Sequence, residues 1–187
     1  LLDRFATLSA DGEYSSPIAS PTKRFFTMLG TLVGGRVSVG AGALSVAKSA
    51  LAVAVRYGVG RRQFGPPDRP ETRILDYPAH QRRLLPRLAE TYALHFALAE
   101  LKRSYVESDP LDRRQVEAEA AGLKALATWH AVDVAQTCRE CCGGQGYLSV
   151  NRFADLKADS DVFATFEGDN VVLLQLLAKS MLGNYKR

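Results

Sequence analysis

Between Gly34 and Val59 the chain is written almost wholly in Ala, Val, Gly and Ser, with two leucines, three basic residues and no proline. Such a stretch is predicted to fold as a helix whose small side chains let a neighbour approach closely, so it needs a partner along much of its length. It is therefore expected at the centre of a packed helical domain. Gly58 and Gly60 stop it, and Gly65-Pro66-Pro67 with Arg69-Pro70 forms a loop that cannot continue as helix. Within this helix, Gly40 to Val55 is interrupted by Ser45, Lys48 and Ser49, which argues against a bilayer span. No positively charged segment followed by an apolar core opens the chain, so no export signal is expected.

The remaining punctuation divides the chain into three further helices. The second is predicted to start near Asp76, whose side chain can cap it, with Pro78 tolerated in the first turn, and to run to about Glu107. Pro86 lies inside it and predicts a kink between Arg82 and Pro86, because it removes a backbone bond and crowds the carbonyl four residues back. The third follows Asp109-Pro110, with Asp112 as a candidate cap, and extends through Trp129 to about Cys142, where Gly143-Gly144-Gln145-Gly146 ends it. Tyr147 to Ala164 forms an ordered connection. Val171, Leu173, Leu174, Leu177, Ala178 and Leu182 keep helical spacing, so a fourth helix runs from about Asn170 to Leu182, with Asp169 or Asn170 as its N-cap. Before all of these, Asp11-Gly12, Ser15-Ser16-Pro17 and Ser20-Pro21 mark turns around short alternating pieces such as Arg4 to Leu8.

The fold class is thus all-α: an up-and-down four-helix bundle over 23–187, preceded by a tail, 1–22, that resembles the end of a β-domain or a linker. A chain of 187 residues with 47% hydrophobic and 24% charged content is large enough to bury a real core. Trp129, Phe96 and Tyr92 are expected as core or interface aromatics.

Charge and cysteine usage narrow the function. The formal charge of +4 comes from arginines scattered among acids, with no basic run alternating with aromatics, so nucleic acid is not the expected partner. Cys138, Cys141 and Cys142 share one helical stretch, an odd and clustered set that suits no disulfide framework. No second Cys/His pair stands at ligand spacing, so buried, inert thiols are expected and no metal site.

Thr165-Phe166-Glu167-Gly168-Asp169-Asn170 places one carboxylate on a glycine-loosened turn before the last helix. Acids are favoured at helix starts in any case, so Glu167 alone would not mark a base. Two other stretches accompany it: Arg61-Arg62-Gln63-Phe64-Gly65 and Cys138-Arg139-Glu140-Cys141-Cys142-Gly143-Gly144-Gln145-Gly146-Tyr147. In this order and spacing the three resemble the C-terminal helical domain of the acyl-CoA oxidase and acyl-CoA dehydrogenase superfamily of flavoenzymes, over about Gly34 to Leu182.

The resemblance implies that Glu167 is the general base, taking the α-proton of a fatty acyl-CoA while hydride leaves the β-carbon for FAD. An α-proton beside a thioester is only weakly acidic, so the carbonyl must be polarised as the proton leaves. The backbone N–H of Glu167 would be one donor for this, and Gly168, lacking a Cβ, lets the substrate come close. Arg36 corresponds to a family arginine beside the acyl-CoA and the base. The resemblance also implies that Arg61 reaches the FAD pyrophosphate across a homodimer interface, a role that suits a guanidinium fork. Phe64 would pack near the cofactor, Gln81 would contact it, and Gly143 and Gly144 would lie under the adenosine part in the partner subunit. Apart from the resemblance, adjacent arginines at a helix end and a double glycine at a helix stop are ordinary.

Cys-Gly-Gly-x-Gly-Tyr with Thr-Phe-Glu-Gly-Asp-Asn, and the proline inside the second helix, look more like the oxidase branch, which returns electrons to oxygen as hydrogen peroxide. Gln145 stands where many oxidases carry His. The dehydrogenase branch, which passes electrons to an electron-transfer flavoprotein, and a non-catalytic helical interaction module stay open as alternatives. Beyond the possible β-domain tail in 1–22, the family's other domains are not expected to have a counterpart in these 187 residues. The chain therefore reads as a fragment, expected to bind FAD poorly and to be inactive alone. Its Ala- and Arg-rich composition leans towards a bacterial cytoplasm; a eukaryotic source would imply the peroxisome.

Overall fold

The computed structural model describes residues 5–109 and 113–185, and it is dominated by helices. A short antiparallel pair, β1 (Thr7–Leu8) and β2 (Tyr14–Ser15), comes first, with Thr7 opposite Ser15 and Leu8 opposite Tyr14. Gly12, at φ +82°, makes the turn between them, as Asp11-Gly12 led us to expect. Six α-helices follow among the described residues: α1 (Pro21–Leu29), α2 (Leu32–Gly60), α3 (Pro78–Glu107), α4 (Arg114–Cys141), α5 (Phe153–Asp161) and α6 (Asn170–Tyr185).

The four helices of the expected bundle are α2, α3, α4 and α6, and α4 packs against all of the others as well as α5. α2 thus shares the central place with α4. Small residues explain how: a Cβ on Gly40 would stand 3.6 Å from the Lys124 Cα, so the two backbones approach closely at that level. Ala43, Ala47 and Ala50 on α2 and Ala120, Ala127 and Ala131 on α4 are all fully buried. Larger residues fill what remains: Leu98 and Leu101 of α3 are buried in one core cluster with Ala43 and Ala127, and Leu84 in a second with Ala47, Ala50 and Cys138. Each of these leucines contributes roughly 1.5–3 kcal/mol through burial.

Several expectations need correction. Ser20-Pro21 begins a helix rather than marking only a turn: the Ser20 hydroxyl accepts from the Lys23 N–H at 3.3 Å, and Pro21 occupies the first helical position, where its missing N–H costs nothing. The connection after Tyr147 contains α5, which begins after Arg152 in a left-handed conformation and inserts Phe153 into the core. Tyr77, not Asp76, is the N-cap of α3, because Ile74–Asp76 already forms a 3-10 turn; Pro78 does take the first turn. Pro86 lies inside α3, as the sequence indicated. The candidate cap Asp112, together with Pro110 and Arg4, lies outside the described residues.

Trp129, Tyr92 and Phe96 are not core residues of this chain; Phe96 is 65% exposed. The interface half of that expectation is what their exposure leaves. Pro21–Gly60 also proves long and apolar enough to cross a membrane, with a mean hydropathy of 1.6 in its most apolar window, despite Ser45, Lys48 and Ser49. Its buried side chains, Val33, Leu44 and Leu51 among them, pack inside the bundle. Cys138, Cys141 and Cys142 are free and buried.

Candidate active site

The segment between α5 and α6 winds down through a 3-10 turn, Val162–Ala164, whose Val162 carbonyl accepts from the N–H groups of Thr165 and Phe166, both at 3.0 Å. Glu167 then adopts φ +58° and Gly168 φ +115°. Glycine accepts such a conformation freely, but for Glu167 the left-handed region costs roughly 1–2 kcal/mol. Asp169 restarts regular structure: its Oδ1 accepts from the Val171 N–H at 2.9 Å and the Val172 N–H at 3.5 Å, which makes it the N-cap of α6.

Two cations from other helices hold this turn. Arg36, near the start of α2, donates from Nε to the Glu167 carbonyl at 3.1 Å. Lys124, from the middle of α4, donates from Nζ to Gly168 O at 2.8 Å, Asn170 Oδ1 at 2.9 Å and Ala164 O at 3.2 Å. Asn170 is itself buried, and its Nδ2 donates to Thr128 Oγ1 at 2.9 Å and Ala125 O at 3.4 Å. The turn is thereby tied to α4 along one turn of helix.

The Glu167 side chain lies against Gly35 of α2, where a Cβ would collide with all three of its carboxyl atoms. Its Oε2 is shut from solvent and has no hydrogen-bond partner among the described residues. Nor does the Glu167 N–H meet an acceptor among them. A buried carboxylate oxygen without a donor is costly to leave so, and such exceptions gather where function needs them. Burial lowers the Arg36 pKa, opposed by the charges of Glu117 and Glu167, and burial likewise lowers that of Lys124, opposed chiefly by Asp169. An acid with an open lone pair, flanked by two cations and a free N–H, can accept a proton and steady the negative charge left behind.

Of the sequence-derived candidates, Glu167, Gly168 and Arg36 meet here. The others gather at the opposite end of α2. At about 1.5 Å of rise per residue, Arg61 stands about 37 Å from Arg36 along the helix. The loop after Arg61 doubles back, with Gln63 N–H bonded to Thr72 O at 2.9 Å and Thr72 N–H to Phe64 O at 2.7 Å. It holds Phe64 at φ +62° and 70% exposed, on the rim of a recess shared with Ile74, Tyr77, His80 and Arg83. Gln81 is half-buried four residues into α3. An ion pair between Arg83 and Glu140 joins this region to the end of α4, where Gly143 turns the chain at φ +56°. A Cβ on Gly144 would meet nothing within 4 Å, whereas one on Gly146 would strike the Arg139 carbonyl. Gly146 is thus required by the fold; Gly144 leaves an open edge.

Gly35, Lys124 and Asn170 are the contributors that sequence reasoning missed, Asn170 having been considered only as a cap. Lys124 did leave a trace: it stands alone among Ala120, Ala121, Ala125 and Ala127, the sort of apolar surroundings in which a lysine must find special partners.

Comparison with known proteins gives the family and the fold. Residues 29–182 match the family described as "Acyl-CoA oxidase, C-alpha1 domain". The chain is 46% identical over 190 residues to the peroxisomal acyl-coenzyme A oxidase 2 of Arabidopsis thaliana, covering 100% of this chain and 28% of that relative. Among solved structures it is similar to acyl-CoA oxidase 3 of Yarrowia lipolytica, with a TM-score of 0.80, 38% identity, and 98% of this chain and 29% of that one covered. It is also similar to acyl-CoA oxidase-1 of Caenorhabditis elegans, solved in complex with FAD and ATP, with a TM-score of 0.82, 30% identity, and 96% and 26% covered.

Proposed function

This chain belongs to the acyl-CoA oxidase family, and we propose that it forms the part of an FAD-dependent acyl-CoA oxidase that carries the general base. The chain spans just over a quarter of the length of the relatives it matches, so the catalytic unit would be the longer polypeptide. Within it, 1–22 would be the end of a preceding domain and 23–187 the helical domain that contributes to the acyl-CoA and FAD sites. The bound FAD would accept hydride from the β-carbon and pass the electrons to oxygen as hydrogen peroxide.

What this chain supplies is the proton chemistry. Glu167 Oε2 would take the α-proton of a fatty acyl-CoA, leaving a trans-2-enoyl thioester. Because no donor competes for its lone pair, the oxygen is ready for that proton. The Glu167 N–H would donate to the thioester carbonyl, and Arg36 would steady both the turn and the developing charge. The buried, unpartnered Oε2 above Gly35 is the observation that carries this reading.

The residues at the far end of α2 fit the cofactor. Arg61 is exposed and suited to a pyrophosphate, Phe64 offers an exposed ring, and Gly144 leaves room for close backbone approach. Their separation from Glu167 supports a homodimer in which one chain's Arg61 end serves its partner's Glu167 end. Exposed Tyr92 and Phe96 on α3 suit such an interface. The relatives named as peroxisomal point to that compartment and give no support to a bacterial cytoplasm.

The test is the complete enzyme, loaded with FAD and given a saturated fatty acyl-CoA under air with no other acceptor. Peroxide formed in step with enoyl-CoA, and lost in Glu167→Gln, is the expected result. Reduction that stalls until an electron-transfer flavoprotein is added would move the chain out of the oxidase reading.

A further inference from the structure

Lys124 has no exposed surface, yet none of its hydrogen bonds goes to a carboxylate. Its three partners, Ala164 O, Gly168 O and Asn170 Oδ1, are neutral acceptors distributed over the whole turn between the 3-10 segment and α6. A neutral amine has two N–H groups and an ammonium has three, so serving all three acceptors requires the charged form. A buried cation is expensive, and a hydrophobic side chain of similar volume is often as good or better for stability alone. Stability of α4 therefore does not explain this residue.

Its placement does. Gly168 O is held by Lys124 from α4, and the adjoining Glu167 O is held by Arg36 from α2. Successive peptide planes on either side of Gly168 are thus fixed by cations from two different helices, in a stretch where both residues have positive φ. Without those anchors, Glu167 would tend to leave the left-handed region, and its carboxyl would leave the niche over Gly35. Asn170 completes the clamp by tying the ammonium to Thr128, so the turn follows α4 as a unit.

We propose that Lys124 is a positioning residue for the base: its ammonium clamps the turn from Ala164 to Asn170 and so fixes where Glu167 presents its carboxyl. This rests on Glu167 being the base, and the two ideas fail separately. The test compares Lys124→Met, Lys124→Arg and the parent in the complete, FAD-loaded enzyme. Lys124→Met is expected to fold, to lose about a hundredfold in kcat with little change in KM, as about 1 Å of misplacement costs, and to show a larger isotope effect with α-deuterated acyl-CoA. Amide hydrogen exchange over 165–170 should quicken while the rest of α4 stays protected. Lys124→Arg, which keeps a cation with several donors, should recover part of the kcat. Should Lys124→Met fail to fold, Asn170→Ala, which removes one of the three acceptors, is expected to show the same isotope and exchange changes in weaker form. A folded Lys124→Met with kcat within about twofold of the parent, or with no change in isotope effect and exchange, overturns the proposal. Glu167→Gln that still turns over normally would instead remove the base, whereas exchange at 165–170 reports on the clamp with no turnover at all.

Discussion

The carboxyl of Glu167 fills the space that a side chain on Gly35 would occupy, across 132 residues of sequence. One helix thus provides a vacancy and a distant turn provides the acid that uses it. Gly35→Ala fills that space, and because the atoms it meets are the end of the Glu167 side chain, the carboxyl is what must move out of the niche while α2 and the clamped turn stay in place. The expected result is about a hundredfold lower kcat for acyl-CoA oxidation with secondary structure unchanged. Steady-state peroxide assays beside circular dichroism check it; a fully active Gly35→Ala enzyme would show that the niche does not govern the base.

Glu167→Gln keeps shape and hydrogen bonding at the turn but removes the proposed proton acceptor. Turnover should fall by about 10²–10⁴-fold, the usual worth of a general base, while acyl-CoA still binds. Titration of the oxidised enzyme with substrate analogue, alongside flavin bleaching on mixing with substrate, separates the two effects.

Gly144 and Gly146 are neighbours in the same turn with opposite expected behaviour. Gly146→Ala drives a methyl into the Arg139 carbonyl and should destabilise the protein by about 1–3 kcal/mol whether or not cofactor is present. Gly144→Ala adds a methyl to open space, so thermal stability of the apoprotein should hold. FAD affinity, by contrast, should drop by about tenfold or more, the equivalent of about 1.4 kcal/mol. Melting curves with and without FAD distinguish the pair.

Burial pushes the Cys138 thiol up to about 12 and the Cys142 thiol to about 11, from an ordinary value of 9.0, and the neighbouring Cys141 adds to both. In the unfolded chain these thiols ionise from about pH 9, so between there and the folded values the unfolded state binds fewer protons. Stability must therefore fall as pH rises through that window. Denaturant midpoints at pH 8 and pH 10.5 should differ less in a Cys138→Ala/Cys142→Ala variant than in the parent. A thiol reagent at pH 8 should label neither cysteine until the protein is unfolded.

Much of this architecture was legible because glycine and proline act locally. α2 does end at Gly60, although Gly58, expected to stop it, lies buried inside the helix against Leu75 and His80; Pro78 opens α3, and Gly143 closes α4 at positive φ. α5 escaped because it starts from Arg152 in a left-handed conformation, without a side-chain cap to announce it. Asp76 misled for a related reason: a residue suited to capping was absorbed into a 3-10 turn one position too early. In the candidate site, Glu167 and Arg36 came from motif resemblance, whereas Gly35 and Lys124 gain meaning only from contacts made across the fold. Composition marks Lys124 as unusual, but only the assembled helices show which three oxygens it meets.

The length of α2 has a genetic consequence. If each site draws its base from one chain and its Arg61 from the other, a protein lacking Glu167 and a protein lacking Arg61 are defective in different halves of the same centre. Mixed together and allowed to exchange subunits, the two dead proteins would form hybrids in which one of the two centres is whole. Activity would reappear at up to half the parental level in each hybrid, from alleles that are silent apart.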